Sequence, residues 1–294
     1  MILNRREALR TLGLVVCGCA RPAAPPLPDV HSRFAALEER SAGRLGVAAV
    51  DAGTGWRIGR REGERFPLCS TFKLPLVAAV LRRVDAGQES LSRVIPYDAG
   101  ALLEYAPVTR EHVAQGGLSV EQLCEASVSL SDNTAANLLL ETLGGPAGLT
   151  AFFRSLGDET SRLDRNEPTL NTALPADERD TTTPAAMVAL LSRILVASST
   201  LSDASRARLV DWLVRSPTGR TRLRAGLPRG WRAGDKTGTG ENGATNDVAI
   251  AWPPGRAPLL ICAYSIGSLQ SGDQRAETLA EVARIVTSAR SAAG

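Results

Sequence analysis

The chain has 294 residues, of which 44% are hydrophobic and 22% charged, a composition typical of a soluble globular enzyme with one or two domains. Residues 1–21 hold the whole formal net charge of +3, so the neutral remainder argues against nucleic acid or a membrane surface as a partner. Outside that segment, Cys69, Cys124 and Cys262 are odd in number and lack metal-like spacing. We therefore expect free buried thiols and no metal site.

Residues 1–21 predict an export leader of the twin-arginine type, because Arg5 and Arg6 precede the short apolar run 12–16. The alternative is a frayed basic terminus. Cys19 follows a glycine in a stretch that resembles a lipoprotein processing site, so a lipid anchor there is a hypothesis. Residues 22–29 predict a flexible tether. No apolar run in the sequence reaches the ~20 residues that span a bilayer, and we expect an exported protein, periplasmic or secreted.

The predicted elements change in kind along the chain. A helix over residues 31–43 is followed by a strand at 45–50 and its hairpin partner at 56–60. Strands return at 231–238, 248–252 and 259–266, before a last helix over 273–289. Between these parts, the apolar periodicity predicts helices at 72–86, 119–130, 134–143, 146–156, 183–197 and 202–213.

Two strands near the start and three near the end predict one five-stranded antiparallel sheet, built by both ends of the chain and flanked by helices. The fold class is α/β in the broad sense, and more narrowly α+β, with an all-α domain inserted in the middle. We place the α/β domain at 30–62 and 214–294, and the all-α domain, with its 162–180 loop, at 63–213. We expect the active site at the interface of the two parts.

Ser70 and Lys73 lie three residues apart at the start of a predicted helix, which places both side chains on one helical face. Of the 34 Lys and Arg residues only Lys73 and Lys236 are lysines, and lysine, unlike arginine, can give up its proton when buried. A serine hydroxyl needs such a base to become a nucleophile, and a helix start supplies N–H groups for an oxyanion. The ordinary alternative is that Ser70 caps the helix.

Three further stretches carry groups for the same chemistry. The run 131–133, Ser-Asp-Asn, offers a proton relay and an amide, and the run 236–240, Lys-Thr-Gly-Thr-Gly, offers a cation and a close approach to the backbone. Glu167 and Asn171, in a long loop that ends at Asp180, can hold and activate a water. A helix start, a glycine turn and a solvated loop are the ordinary alternatives.

Together the motifs SxxK, SDN, RxEPxLN and KTG, in that order, resemble the class A serine β-lactamases over nearly all of the chain after the leader. The resemblance implies a hydrolase that opens the β-lactam ring of small-molecule antibiotics and so gives antibiotic resistance. It also implies an enzyme that needs no cofactor, binds no nucleic acid and works as a monomer.

The resemblance assigns chemical roles to single residues. Ser70 would attack the β-lactam carbonyl and form an acyl-enzyme, with either Lys73 or Glu167 as the base. Ser131 would pass a proton to the departing ring nitrogen, and Glu167 would activate the water that releases the acyl group. The N–H groups of Ser70 and Thr239 would bind the oxyanion.

Other positions would hold the substrate or the loop. Thr245 stands where many relatives have the arginine that meets the substrate carboxylate. Other relatives take it from a Thr-Gly-x-x-Arg stretch, which residues 218–222 fit, so Arg222 would have this role. Arg165 and Asp180 would form the ion pair that closes the loop around Glu167. The implied substrate-binding residues are Tyr105, Asn133, Asn171, Arg222, Lys236, Thr237, Gly238 and Thr239.

Cys69 stands beside the nucleophile, where carbapenem-hydrolysing relatives often have one half of a disulfide bridge. Gly240 occupies the position of the partner cysteine, so the bridge is not expected and the resemblance gives no reason to infer carbapenem hydrolysis.

Two other functions share part of the pattern. A penicillin-binding D,D-peptidase or transpeptidase would also be acylated but would lack an efficient deacylating base, and the pair Glu167 and Asn171 argues against it. A non-enzymatic sensor that stays acylated would join a membrane-spanning transducer, for which this sequence offers no segment.

Overall fold

The computed structural model describes residues 29–293. The predicted leader at residues 1–21, with the lipidation hypothesis at Cys19, lies outside the described residues, as does all of the predicted tether except Asp29. Within the described part of the chain, no helix combines the length and the apolar character that crossing a membrane requires.

Residues 29–293 form nine strands and nine α-helices, joined by short 3₁₀ turns. The strands are β1 (Arg44–Asp51), β2 (Arg57–Arg60), β3 (Phe66–Pro67), β4 (Val94–Pro96), β5 (Gly117–Ser119), β6 (Thr181–Thr182), β7 (Arg232–Thr239), β8 (Thr245–Trp252) and β9 (Leu259–Ile266). The helices are α1 (Val30–Ser41), α2 (Lys73–Asp85), α3 (Pro107–His112), α4 (Val120–Ser129), α5 (Asn133–Thr142), α6 (Pro146–Ser155), α7 (Pro184–Leu191), α8 (Asp203–Arg215) and α9 (Gly272–Ala292).

Five strands form one antiparallel sheet in the order β2-β1-β9-β8-β7. Strands β1 and β2 come from the start of the described chain and β7 to β9 from its end, so the predicted five-stranded sheet is confirmed. Strand β7 lies at the edge of the sheet, which leaves one side of residues 232–239 open toward the helical part. The proposed domain boundaries at 62/63 and 213/214 stay a prediction.

The sheet is covered on both faces, which explains why β1, β8 and β9 are buried along almost their whole length. One apolar cluster, with Phe34 and Val286, packs α1 and α9 against one face. The other cluster, with Phe72 and Tyr264, joins the opposite face to the helices between residues 73 and 215. The site described below lies beside this second cluster.

Helix α2 is the central helix of the helical part. Its residues 73–81 are all buried, as expected for a helix that is apolar on every side and is surrounded by α4, α5, α6 and α8. Lys73 begins this helix, so its long side chain enters the interior of the protein rather than the solvent.

The structure differs from the sequence predictions in several elements, among them the short strands β3 to β6, which were not predicted. Strand β8 begins at Thr245, three residues before the predicted start, because polar residues 245–247 are buried there and break the expected apolar pattern. Helix α3 was not predicted. The predicted helix over 183–197 ends as an α-helix at Leu191 and continues as a π turn over Ser192–Val196.

Candidate active site

The nucleophile candidate lies in a 3₁₀ turn, Cys69–Phe72, that leads directly into α2. The Ser70 hydroxyl makes no capping hydrogen bond to either helix, so the ordinary capping explanation does not hold. Instead, Ser70 Oγ donates to Glu167 Oε1 at 3.3 Å. Cys69, just before it, has φ of 43°, a left-handed conformation that a non-glycine residue rarely adopts.

Lys73 is fully buried and is surrounded by oxygen acceptors. Its Nζ lies 3.0 Å from Glu167 Oε1 and donates to the backbone oxygen of Ser131 at 2.8 Å and to Asn133 Oδ1 at 2.5 Å. Burial lowers the pKa of Lys73 below its ordinary value, and the charge of Glu167 opposes that shift. The amine therefore gives up its proton more readily than a solvated lysine.

The Ser131 hydroxyl lies between the two lysines of the chain. Lys236 Nζ donates to Ser131 Oγ at 3.0 Å, and Lys73 Nζ donates to the same oxygen at 3.4 Å. Burial, together with the charge of Lys73, lowers the pKa of Lys236 well below its ordinary value. The sequence linked the two lysines through their rarity and through the SxxK and KTG motifs, and the structure brings both to one hydroxyl.

The residues after Ser131 start helix α5, so the ordinary explanation of this motif also holds in part. Asp132 is fully buried and caps α5 through the N–H of Ala135 at 2.9 Å. Its other oxygen accepts from the N–H groups of Val108 and Thr109 and fixes the start of α3.

The loop from residue 162 to 180 is closed by an ion pair. Arg165 Nε donates to Asp180 Oδ2 at 2.6 Å, and the same carboxylate accepts from the N–H groups of Asp164 and Arg165. Asp180 is fully buried, and its backbone oxygen accepts from the N–H of Leu68 at 2.8 Å. The carboxylate of Asp180 therefore ties both ends of the loop together, and its backbone oxygen attaches them to the residue before the nucleophile turn.

Within this loop, Glu167 is held from two directions. Its second oxygen accepts from Asn171 Nδ2, and its backbone N–H and C=O bond to the side chain of Asn137 at 3.0 and 2.9 Å. Asn137 was not predicted. It lies four residues after Asn133, on the same face of α5, and that spacing is the signal that could have identified it.

Strand β7 carries the last motif along the edge of the cavity. Arg222 Nη1 donates to the backbone oxygens of Gly238 at 2.8 Å and Asn246 at 2.7 Å, and Nη2 donates to Thr239 Oγ1 at 2.7 Å. Burial lowers the pKa of Arg222. Thr237 Oγ1 donates to the hydroxyl of Thr218 at 3.0 Å; this threonine was not predicted.

These side chains surround a cavity of about 380 Å³ between β7, α5 and the loop. It is lined by Ser70, Tyr105, Ser131, Asn133, Asn171, Thr218, Arg222, Thr237 and Thr239. Tyr105 is 53% exposed and lies at the entrance. A larger cavity of about 680 Å³ behind residues 173–179 is lined by neither serine nor lysine, so it offers no comparable nucleophile and base.

Cys69, Cys124 and Cys262 are free, buried thiols. Burial raises the pKa of Cys69 to about 12, so this thiol stays protonated although it adjoins the nucleophile. Among residues 29–293, no group of three or more His, Cys, Asp or Glu residues is arranged to hold a metal ion.

A serine hydroxyl lies with two buried lysines and a buried carboxylate at the junction of a helical part and a sheet edge. These are the groups that hydrolysis through a serine nucleophile would require. The Beta-lactamase enzyme family matches residues 29–289, and the chain belongs to this family. The resemblance to class A β-lactamases that the motifs predicted is thereby confirmed.

Known relatives cover most of the chain. Beta-lactamase AST-1 of Nocardia asteroides is 51% identical over 257 residues, or 87% of this chain and 82% of the relative. Beta-lactamase CTX-M-8 of Citrobacter amalonaticus is 47% identical over 288 residues, or 96% of this chain and 98% of the relative. A solved structure of an ancestral (GNCA) class A β-lactamase matches with a TM-score of 0.87 and 59% identity, covering 89% of this chain and 100% of the other.

Proposed function

We propose that this protein hydrolyses β-lactam antibiotics through an acyl-enzyme on Ser70, which a water activated by Glu167 then releases. The position of the Glu167 carboxylate carries the proposal. Its Oε1 lies 3.3 Å from Ser70 Oγ and 3.0 Å from Lys73 Nζ, and its other oxygen accepts from Asn171. One buried carboxylate is therefore within reach of the nucleophile, of a buried amine and of a place for a water.

In the first step, Ser70 Oγ adds to the β-lactam carbonyl carbon as its proton leaves to a base. Two bases are proposed: the carboxylate of Glu167, which accepts from Ser70 Oγ, and the amine of Lys73, whose Nζ lies 3.0 Å from the same Glu167 oxygen. Burial of Lys73 favours its neutral form, which supports the amine, and the 3.3 Å hydrogen bond from Ser70 supports the carboxylate. The backbone N–H groups of Ser70 and Thr239 would stabilise the negative charge on the carbonyl oxygen.

The ring then opens as the carbon–nitrogen bond breaks and the nitrogen takes a proton. Ser131 is the proposed donor, because its hydroxyl is the one that both lysines contact. The amine of Lys73, protonated in the first step if it is the base, can return its proton through this hydroxyl. Lys236 donates to the same hydroxyl, and its protonated form would attract an anionic substrate.

In the second step, a water adds to the ester carbonyl and Ser70 Oγ leaves with a proton. Glu167 would take a proton from that water, with Asn171 holding the other side of it. The two hydrogen bonds between the Asn137 side chain and the Glu167 backbone fix that backbone, so the carboxylate needs little rearrangement to act.

Substrate binding is proposed for the rest of the cavity wall. The substrate carboxylate would meet Thr237 and Thr239 of β7 together with Arg222, which donates to Thr239. Gly238 would allow a close approach of the substrate to the backbone. Asn133 would bind the amide side chain of the substrate, and Tyr105 would flank the entrance.

We also propose that the protein is exported by the leader at residues 1–21 and works as a periplasmic or secreted monomer. Arg5 and Arg6 ahead of an apolar run support export, and Cys19 supports a lipid anchor. Mass spectrometry of the mature N-terminus tests the anchor, because the absence of an acyl group on Cys19 would remove it from the proposal.

Turnover of a chromogenic cephalosporin tests the proposed chemistry. We expect many cycles of hydrolysis per enzyme molecule and loss of all activity in Ser70→Ala. If the protein instead reacts once per molecule and stays acylated, a deacylating role for Glu167 is wrong, and a penicillin-binding protein or a sensor becomes the better interpretation.

A further inference from the structure

The side chain of Asn246 links strand β8 to the nucleophile turn. It is fully buried, and its Nδ2 donates to the backbone oxygens of Pro67 at 2.8 Å and of Leu68 at 3.3 Å. These two carbonyls come immediately before Cys69–Phe72. We propose that Asn246 is a positioning residue that sets the spacing between the two N–H donors of the oxyanion site. This inference rests on the proposed acyl-enzyme mechanism.

The backbone of Asn246 fixes the other half of that site. In the antiparallel pairing of β7 and β8, Asn246 lies opposite Gly238, the residue just before Thr239. Arg222 Nη1 donates to the backbone oxygens of both Asn246 and Gly238, which joins the two strands once more at this level. One residue thus holds β7 through its backbone and the nucleophile turn through its side chain.

The turn and β7 are in close contact at this point. A Cβ atom added at Gly238 would lie 3.0 Å from the backbone oxygen of Leu68 and 3.2 Å from both Cys69 Cβ and Thr71 Cγ2. The glycine therefore brings β7 against the turn, but repulsion alone cannot stop the turn from moving away. The donor of Asn246 supplies an attraction that opposes this movement, together with the contact at 3.3 Å between the hydroxyls of Thr71 and Tyr264 on β9.

The backbone of the turn also needs such support. Cys69 adopts φ of 43°, and a non-glycine residue in this region persists only when the surrounding contacts hold it. The carbonyl oxygen of Leu68, the residue before Cys69, accepts from Thr71 Oγ1 at 2.7 Å as well as from Asn246. The bond from Thr71 lies within the turn, so the contact with Asn246 is the one that ties this carbonyl to the sheet.

Loss of this contact is expected to alter catalysis because the oxyanion site works through fixed geometry. Removing one oxyanion donor typically costs about 10²- to 10³-fold in rate, and a displacement of about 1 Å can cost about 10²-fold. Replacing Asn246 displaces a donor rather than deleting it. We therefore expect an approximately 10- to 100-fold loss.

The test compares Asn246→Leu, which keeps similar bulk without a donor, with Asn246→Ser, which leaves room for a bridging water. Ile250→Val is the matched control, because Ile250 is buried on the same strand and the same face, four residues away. Two quantities are measured for each protein: kcat/KM for a chromogenic cephalosporin, and the inhibition constant of phenylboronic acid. The boron atom of this acid accepts Ser70 Oγ and becomes tetrahedral, with one of its hydroxyls in the oxyanion position.

Within each Asn246 variant, we expect kcat/KM and the affinity for phenylboronic acid to fall by the same factor. That factor should be smaller in the serine variant than in the leucine variant. Both quantities should stay within about twofold of wild type in Ile250→Val. If the leucine variant does not fold, the serine variant decides. Unchanged boronate affinity in a folded Asn246 variant would overturn the inference, as would an equal loss in Ile250→Val. Failure of the wild type to turn over the cephalosporin would instead reject the proposed function.

Discussion

Replacing Asp180 by asparagine tests whether one buried carboxylate organises the loop that carries Glu167. The substitution keeps the shape of the side chain but removes its charge. One oxygen can still accept from the N–H groups of Asp164 and Arg165, which lie 2.7 and 2.9 Å from Asp180 Oδ1 in the wild type. The new amide N–H₂, however, faces the Arg165 guanidinium that donates to Oδ2 at 2.6 Å in the wild type.

The cost follows from burial and from what remains for Arg165. Breaking a fully buried ion pair by removing one partner costs about 3–5 kcal/mol. Arg165 keeps 19% of its side chain exposed and retains Asp177 at 3.6 Å, so we expect a smaller loss, about 2–3 kcal/mol. For a protein of this size that corresponds to a fall in Tm of about 5 °C.

Thermal denaturation and pre-steady-state kinetics measure the two consequences. The deacylation rate constant should fall by about 10- to 100-fold, because the loop that positions Glu167 loosens, while acylation changes less. Asp203→Asn is the control, since Asp203 pairs with Arg206 on the surface with 94% of its side chain exposed. A Tm that differs from that of the wild type by less than about 1 °C, together with unchanged deacylation, would refute the reasoning.

Three further substitutions test separate parts of the structure. Lys73→Arg keeps the charge but cannot release a proton, so stopped-flow acylation should fall at least ~10²-fold; an active variant would leave Glu167 as the base. Burial raises the pKa of Asp247 well above its ordinary value, so the folded protein keeps a proton that the unfolded chain loses above about pH 4. The free energy of unfolding of the wild type therefore falls as pH rises above about 4. Asp247→Asn removes this titration, so between about pH 4 and 7 its Tm should fall less than that of the wild type; parallel Tm curves for the two proteins would contradict this. Gly240→Ala should lower Tm, because the new Cβ would lie 2.7 Å from the backbone oxygen of Asn171 and 2.8 Å from Cys69 Sγ. An unchanged Tm would contradict this, since it would mean that both neighbours move aside without cost.

The sheet and the helices were predictable because their apolar residues repeat regularly. Strand β9 was predicted with the bounds that the structure shows, since every residue from 259 to 265 is buried. The start of β8 was not, because Thr245, Asn246 and Asp247 are polar residues buried against specific partners. Periodicity detects burial of apolar side chains and gives no signal where a polar side chain is buried.

The candidate site was predictable only as a set of motifs. The sequence suggested Ser70, Lys73, Ser131 and Lys236, and the structure brings their polar atoms together, but the contact between Ser131 Oγ and both lysines depends on packing between distant segments. Asn137 was missed because it belongs to no motif and acts on the backbone of a neighbour. Thr218 belongs to the stretch that indicated Arg222, but its hydrogen bond with Thr237 gave no signal in the sequence. Such supporting residues become visible only when the contacts are known.

Glu167→Gln provides the most direct measurement of the proposed chemistry. The substitution keeps an acceptor for Asn171 but removes the base that would activate water. After mixing with a cephalosporin, intact-protein mass spectrometry should show an adduct on Ser70 that persists for many wild-type turnover times, with kcat reduced by about 10²- to 10⁴-fold. An unmodified protein that hydrolyses the cephalosporin at the wild-type rate would contradict the proposed role of Glu167.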